Sequence, residues 1–190
     1  YVEEGGNYDT RYDVSILVNG LPLVHIELKR RGVQLKEAFN QINRYQRDSF
    51  WAGCGLYEYV QIFVISNGTN KEQETGGRNK SKKTSNSFEF SSFWADSNNK
   101  VITDLLDFTK TFFSKHTLLN ILTKYCVFTS EKMLMVMRPY QIAATERIIQ
   151  RINVANNYKF YDSIKGGGYI WHTTGSGKTL TSFKTAQLAS

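Results

Sequence analysis

The chain has 190 residues, of which 41% are hydrophobic and 14% aromatic, enough to bury a core and too apolar for a disordered chain. Its 24 Lys and Arg against 17 Asp and Glu leave a net charge of +7, which favours a polyanionic partner, nucleic acid before membrane. The longest apolar runs, such as "YVQIFVIS", are far too short to span a bilayer. The start, "YVEEGGNYDT", carries neither a signal-peptide pattern nor a Met, so the true N-terminus is expected upstream.

Residues 12–18, "YDVSILV", predict a strand, and Asn19-Gly20 is a strong hairpin signal. The return strand is expected from about Pro22 to Lys29. There a period of two sends His25, Glu27 and Lys29 to one face and Val24, Ile26 and Leu28 to the other. A strict two-residue turn would set Asp13 opposite Ile26. A three-residue loop of Asn19, Gly20 and Leu21, or a bulge with the same effect, sets Asp13 opposite Glu27, and this register is the expected one.

Residues 33–50, "VQLKEAFNQINRYQRDSF", predict an amphipathic helix with Leu35, Ala38, Phe39 and Ile42 on its apolar stripe. Gln41 and Tyr45, four apart, share a face. A dense buried strand follows at 59–66, closed by Asn67-Gly68, so the order strand, strand, helix, strand predicts a mixed α/β layer. From 69 to 87 no aliphatic or aromatic residue occurs, and a long exposed loop is expected, with Lys71, Arg78, Lys80, Lys82 and Lys83 as its cations. Order resumes with an edge strand at 88–95 and two short helices at 103–115 and 117–125. Cys54 and Cys126 lack metal-ligand spacing and read as buried thiols of a reducing cytoplasm.

A boundary is expected near 126–137, read as a linker. "RPYQIAATERIIQRI", 138–152, has helical spacing with Pro139 in the first turn. "GGGYIWHTTGSGKTLTSFKTAQLAS" then predicts a short strand, a Gly-rich turn and a helix to the last residue.

Within that turn, "TTGSGKT" has the glycine, lysine and threonine of a phosphate-binding loop. Gly175, Ser176 and Gly177 let backbone N–H groups turn inward on phosphates at a helix N-terminus. Lys178 would reach the β- and γ-phosphates, and the Thr179 hydroxyl would ligate Mg²⁺. The strict pattern has another glycine where this chain has His172. Gln141 of "RPYQ" can donate and accept together, as adenine N6 and N7 require, and is a candidate adenine reader.

Asp13, Glu27 and Lys29, with Leu28 between the last two, follow the D…(D/E)-x-K order. Asp13, Glu27 and the Leu28 carbonyl are the candidate ligands of a hard cation such as Mg²⁺. Such an ion acidifies a water beside a scissile phosphate, and Lys29 would orient or deprotonate that water. His25, on the same face, is read as a bystander.

Gln41 and Tyr45 form a Q-x-x-x-Y pattern on the following helix, which resembles RecB-like nucleases; the resemblance implies contact with the DNA backbone. A nuclease core followed by "RPYQ" and "TTGSGKT" resembles, over essentially the whole chain, the motor (R) subunit of type I restriction enzymes. The resemblance implies a PD-(D/E)xK-like endonuclease domain at 1–125, with a mixed sheet flanked by helices, then a linker at 126–137. Residues 138–190 would begin a RecA-like motor lobe. It further implies double-stranded DNA as substrate, ATP and Mg²⁺ as cofactors, methyltransferase (M) and specificity (S) subunits as partners, and a cytoplasmic location without a membrane. The chain stops twelve residues after Lys178, so the remaining motor elements are expected beyond it. Two other readings stay open: a stand-alone Mg²⁺-dependent repair nuclease, and a nucleotide-binding assembly module without nuclease activity.

Overall fold

The computed structural model describes residues 12–45, 55–68, 71–75, 88, 91–130 and 134–190. The chain divides into two compact units, one of Tyr1–Trp94 with Val101–Val136 and one of Ala95–Lys100 with Met137–Ser190. Both helices and strands build it, a mixed α/β arrangement.

The first unit is organised by a five-stranded sheet in the order β1 (Val14–Val18), β2 (Leu21–Leu28), β3 (Ile62–Ser66), β4 (Lys71–Thr75) and β5 (Ser91–Phe93). Asn19 and Gly20 turn the first hairpin with φ of 52° and 83°, the pairing of left-handed residues that a tight two-residue turn needs. Val18 faces Leu21 and Leu17 faces Pro22, but Ile16 faces Val24. Leu23 is therefore the extra residue of a β-bulge, beside a proline that cannot donate to a ladder. The expected three-residue loop is absent; the bulge produces the same shift. Val14 faces Ile26, and one further step brings Asp13 level with Glu27.

β2 and β3 run parallel, which requires a crossover, and α1 (Leu35–Tyr45) supplies it. Parallel strands are covered on both faces, which explains why "IFVIS" is buried throughout and apolar up to its last residue, Ser66. Val24, Ile26, Ile62 and Val64 pack on one face against Trp94, Phe108, Phe112, Leu118, Ile121 and Val136. Phe63 and Ile65 pack on the other against Leu35, Ala38, Phe39 and Ile42 of α1. The first layer is closed by α2 (Leu105–Phe112) and α3 (Lys115–Thr123). Asp104 caps α2 by accepting from the Leu106 and Asp107 N–H groups at 2.9 and 3.0 Å.

Several expectations change. The strand expected over 59–66 begins at Ile62, and Leu56–Tyr59 is a 3₁₀ turn. Residues 71–75, expected in a loop, form β4 between β3 and β5. A strand paired on both sides draws its stability from ladder hydrogen bonds, so KEQET needs no apolar alternation to hold its place. The rest of that segment, 76–87 with Arg78, Lys80, Lys82 and Lys83, lies outside the described residues, as do Cys54 and the end of the predicted helix at 46–50. The stretch read as a linker carries an antiparallel hairpin, β6 (Cys126–Phe128) and β7 (Leu134–Val136). Leu134 and Val136 are buried, because alternating apolar residues here close the first core. Cys126 is partly buried, its thiol donating to the Ile121 carbonyl at 2.9 Å.

In the second unit α4 (Pro139–Tyr158) packs on α5 (Lys178–Ala189), with buried Thr185 and Thr145 hydroxyls 3.4 Å apart. The strand expected before the Gly-rich turn is not formed: no described residue pairs with 168–173, and a strand exists only through its ladder. Tyr169 and Trp171 are 90% and 88% exposed there. Among the described residues, no helix is long and apolar enough to cross a membrane.

Candidate functional site

In the first unit the bulge and the crossover helix decide what meets at the end of β2. Alternation sends His25 and Glu27 to the α1 side, where they are 0% and 1% exposed. The face read as the site is thus roofed by a helix. Asp13, exposed just before β1, reaches across the hairpin, and its Oδ2 accepts from the Leu28 N–H at 2.8 Å. Lys29 Nζ donates to Glu27 Oε1 at 2.6 Å and also to Gln41 Oε1. Gln41 Nε2 in turn donates to the Tyr45 hydroxyl. Asp13, Glu27, Lys29, Gln41 and Tyr45 are therefore joined through hydrogen bonds and the Leu28 backbone.

A charge as buried as Glu27 needs compensation. Lys29 provides it for Oε1, but Oε2 has no hydrogen-bond partner among the described residues. The His25 Nε2 lies 3.6 Å from it, beyond hydrogen-bonding distance. An orphaned carboxylate oxygen, a second carboxylate with one oxygen tethered, and a nearby carbonyl are the donor chemistry of a hard divalent cation. Among the described residues no three His, Cys, Asp or Glu side chains converge, so two carboxylates and the Leu28 carbonyl would be the protein's share.

The Tyr45 phenol titrates above its ordinary 10.0, first because it is partly buried and then through the negative charges of Glu27 and Asp13, against the lowering influence of the Gln41 hydrogen bond and Arg44. Both carboxylates are felt at one hydroxyl. Beside it, an open groove of about 710 Å³ is lined by Lys29, Arg30, Asn40, Gln41 and Arg44, with Glu37 its acidic member.

Sequence reasoning overlooked the aromatic wall. His25 meets Tyr12, Tyr45 and Phe63 edge-on at centroid distances of 5.6, 6.0 and 6.2 Å, and its Nδ1 lies 3.4 Å from the Ser15 hydroxyl. Tyr57 joins through Tyr12 at 4.3 Å. His25 is a fully enclosed neighbour of Glu27. Tyr12 and Tyr57 belong to no motif; only docking of α1 and the 3₁₀ turn brings them together.

In the second unit Gly175 and Gly177 take φ of 78° and 74°, conformations that glycine adopts without strain. Gly177 caps α5 without a side-chain bond, so the helix's first N–H groups are open to an anion. Lys178 Nζ rests on the carbonyls of Thr173 and His172 at 3.2 and 3.4 Å, and Thr179 is exposed in the first turn. A cation parked on neutral carbonyls can exchange them for phosphate oxygens. These residues fit a nucleotide's phosphates.

Gln141 is 5% exposed. Its Oε1 accepts from the Arg138 N–H at 2.9 Å and its Nε2 donates to the Ser176 carbonyl at 3.0 Å. Each polar atom makes one hydrogen bond within the protein, which leaves one N–H and one lone pair for a base. A Cβ at Gly177 would collide with that Nε2. Tyr140 and His172 also touch the loop, which sequence reasoning did not foresee. A cavity of about 1190 Å³ beside the loop is lined by Arg138, Tyr140, Arg147 and Arg151 among others.

Against known proteins, the family described as Type I restriction enzyme R protein N terminus matches residues 1–71, and that described as Type III restriction enzyme, res subunit, matches residues 134–190. The chain is 58% identical over 150 residues to the type I restriction enzyme EcoprrI endonuclease subunit of Escherichia coli, covering 79% of this chain and 47% of that protein. It is 42% identical over 184 residues to a type I restriction enzyme endonuclease subunit of Staphylococcus aureus strain COL, and 43% identical over 184 residues to one of Staphylococcus saprophyticus. Each covers 96% of this chain and 18% of the relative. The chain thus spans about half the length of the first relative and under a fifth of the others. With both ends of the chain matched and the relatives agreeing across both units, the chain belongs to the endonuclease, or R, subunits of type I restriction enzymes.

Proposed function

We propose that the first unit is a metal-dependent DNA endonuclease of the PD-(D/E)xK kind and that the second begins a RecA-like, ATP-driven motor lobe. In the complete subunit, cleavage of double-stranded DNA is coupled to ATP-dependent translocation. The observation that carries the nuclease half is the linkage of Asp13, Glu27, Lys29, Gln41 and Tyr45, with one buried Glu27 oxygen left over.

Asp13, Glu27 and the Leu28 carbonyl hold Mg²⁺, which when bound supplies Lewis acidity and a lowered water pKa. Lys29 is the group that orients or deprotonates the attacking water, kept near the carboxylate by Glu27 Oε1 and Gln41. Gln41 and Tyr45, with the cations of the adjoining groove, hold the DNA backbone. In the motor lobe Gly175, Ser176, Gly177 and Lys178 would bind the ATP phosphates, Thr179 the associated Mg²⁺, and Gln141, through its second N–H and second lone pair, the adenine. Methyltransferase and specificity subunits are the partners, and the cytoplasm is the location.

The test is Glu27→Gln in the full-length subunit assembled with its partners. Removing one charge while keeping the shape should abolish linearisation of circular DNA and weaken Mn²⁺ binding measured calorimetrically. ATP hydrolysis should persist. Cleavage at the wild-type rate would sink the nuclease assignment.

A further inference from the structure

Tyr140, the residue before Gln141, touches the phosphate loop twice. Its hydroxyl donates to the Ser176 carbonyl at 2.9 Å across 36 residues of sequence. Its ring meets the His172 ring edge-on, with centroids 5.6 Å apart and an interplanar angle of 85°. His172 stands where the strict phosphate-loop pattern has glycine, so the departure from that pattern is itself one of the points held.

The Ser176 carbonyl accepts from both Tyr140 and Gln141 Nε2, which uses its two lone pairs. In a trans peptide the C=O and the next N–H point in opposite directions. Turning the Ser176 oxygen toward α4 therefore turns the Gly177 N–H away from it, as a loop that presents N–H groups to an anion requires. The two donors differ in their other duties. Gln141 also serves the Arg138 N–H and, on the reading above, a base. The Tyr140 hydroxyl bonds only to the loop among the described residues.

We propose that Tyr140 is a positioning residue of the phosphate loop, setting the Ser176–Gly177 peptide for a nucleotide's polyphosphate regardless of the base. The proposal rests on the phosphate-loop reading. One hydrogen bond to a loop carbonyl, lost without other change, should weaken binding by about three- to tenfold.

The experiment is equilibrium binding of ATP and of inorganic tripolyphosphate to the full-length subunit, with Tyr140→Phe, Tyr140→Leu and Lys178→Ala. Tyr140→Phe, which keeps the ring contact, should weaken both ligands by the same factor while the melting temperature stays within about two degrees. Tyr140→Leu, which loses both contacts, should weaken both further. Unchanged affinities in Tyr140→Phe would overturn the proposal. So would a loss confined to ATP, which would put Tyr140 at the base, or a clearly lowered melting temperature, which would make its role structural. If Lys178→Ala also binds both ligands normally, the phosphate-loop reading itself falls; if it alone loses them, only the role of Tyr140 does.

Discussion

Tyr45 feels two carboxylates of the first unit, Glu27 and Asp13. Its hydroxyl is raised above 10.0 by partial burial and by the charges of Glu27 and Asp13. A folded pKa above the unfolded one stabilises the fold fully below about pH 10, and that contribution is lost as pH rises through the folded pKa. Removing one negative charge should bring the value down, so Glu27→Gln is expected to lower the Tyr45 pKa while leaving it above the ordinary value through burial. Tyrosine ring carbons followed by NMR, with Tyr45→Phe for assignment, would show it. An unmoved titration would mean that Glu27 and Tyr45 do not share an electrostatic environment. At this scale the residues of the D…E-x-K and Q-x-x-x-Y patterns were legible, since spacing alone put Glu27, Lys29, Gln41 and Tyr45 on usable faces. Burial of His25 among Tyr12, Tyr45 and Phe63 was not, because no period in β2 says that a helix will cover it.

The elements supply the positions. A one-residue bulge at Leu23 decides that Asp13, and not Tyr12, comes level with Glu27, since each one-residue slip changes which side chains share a face. Its direction was legible from the chemistry that Asp13 and Glu27 share; its form was not, because a longer loop yields the same pairing. β4 was illegible for another reason. Hydrophobic periodicity detects strands that bury a face, and KEQET carries no apolar residue to detect. The layer opposite the site rests on Phe112, fully buried and stacked on Phe108 at 5.1 Å with Trp94 edge-on at 5.0 Å. Phe112→Ala should destabilise the first unit by about 3–5 kcal/mol. Native-state hydrogen exchange at the amides of Ile62, Val64 and Ile26, which open through that core, is the measurement. Protection unchanged there would show that α2 does not brace the sheet.

At the scale of the whole molecule, the two proposed chemistries fall in two compact units, so substitutions should separate cleanly in one direction and not in the other. Glu27→Gln should remove only cleavage. Lys178→Ala in the complete enzyme should abolish ATP hydrolysis, because the γ-phosphate loses its compensating charge. Since cutting is proposed to follow translocation, it should abolish cleavage as well. A variant that cleaved circular DNA at the normal rate without hydrolysing ATP would separate the two activities and refute the coupling. The boundary expected near 126–137 can be set beside the division after Val136, but the hairpin inside that stretch was not legible. Cys126–Phe128 and Leu134–Val136 form a hairpin that belongs to the first core, and short apolar runs of three residues look alike in linkers and in strands.

The crowding of Gly177 by Gln141 restricts how such a loop can diverge. Any side chain at 177 faces two objections, a left-handed backbone and an amide already in its space. Shortening residue 141 first would clear the space, but it would also strand the Arg138 N–H and remove one donor from Ser176. Loss of Gln141 removes only one of the two objections, because the left-handed backbone at 177 remains. Across a deep lineage, Gly177 should therefore persist even in the rare chains that lack Gln141.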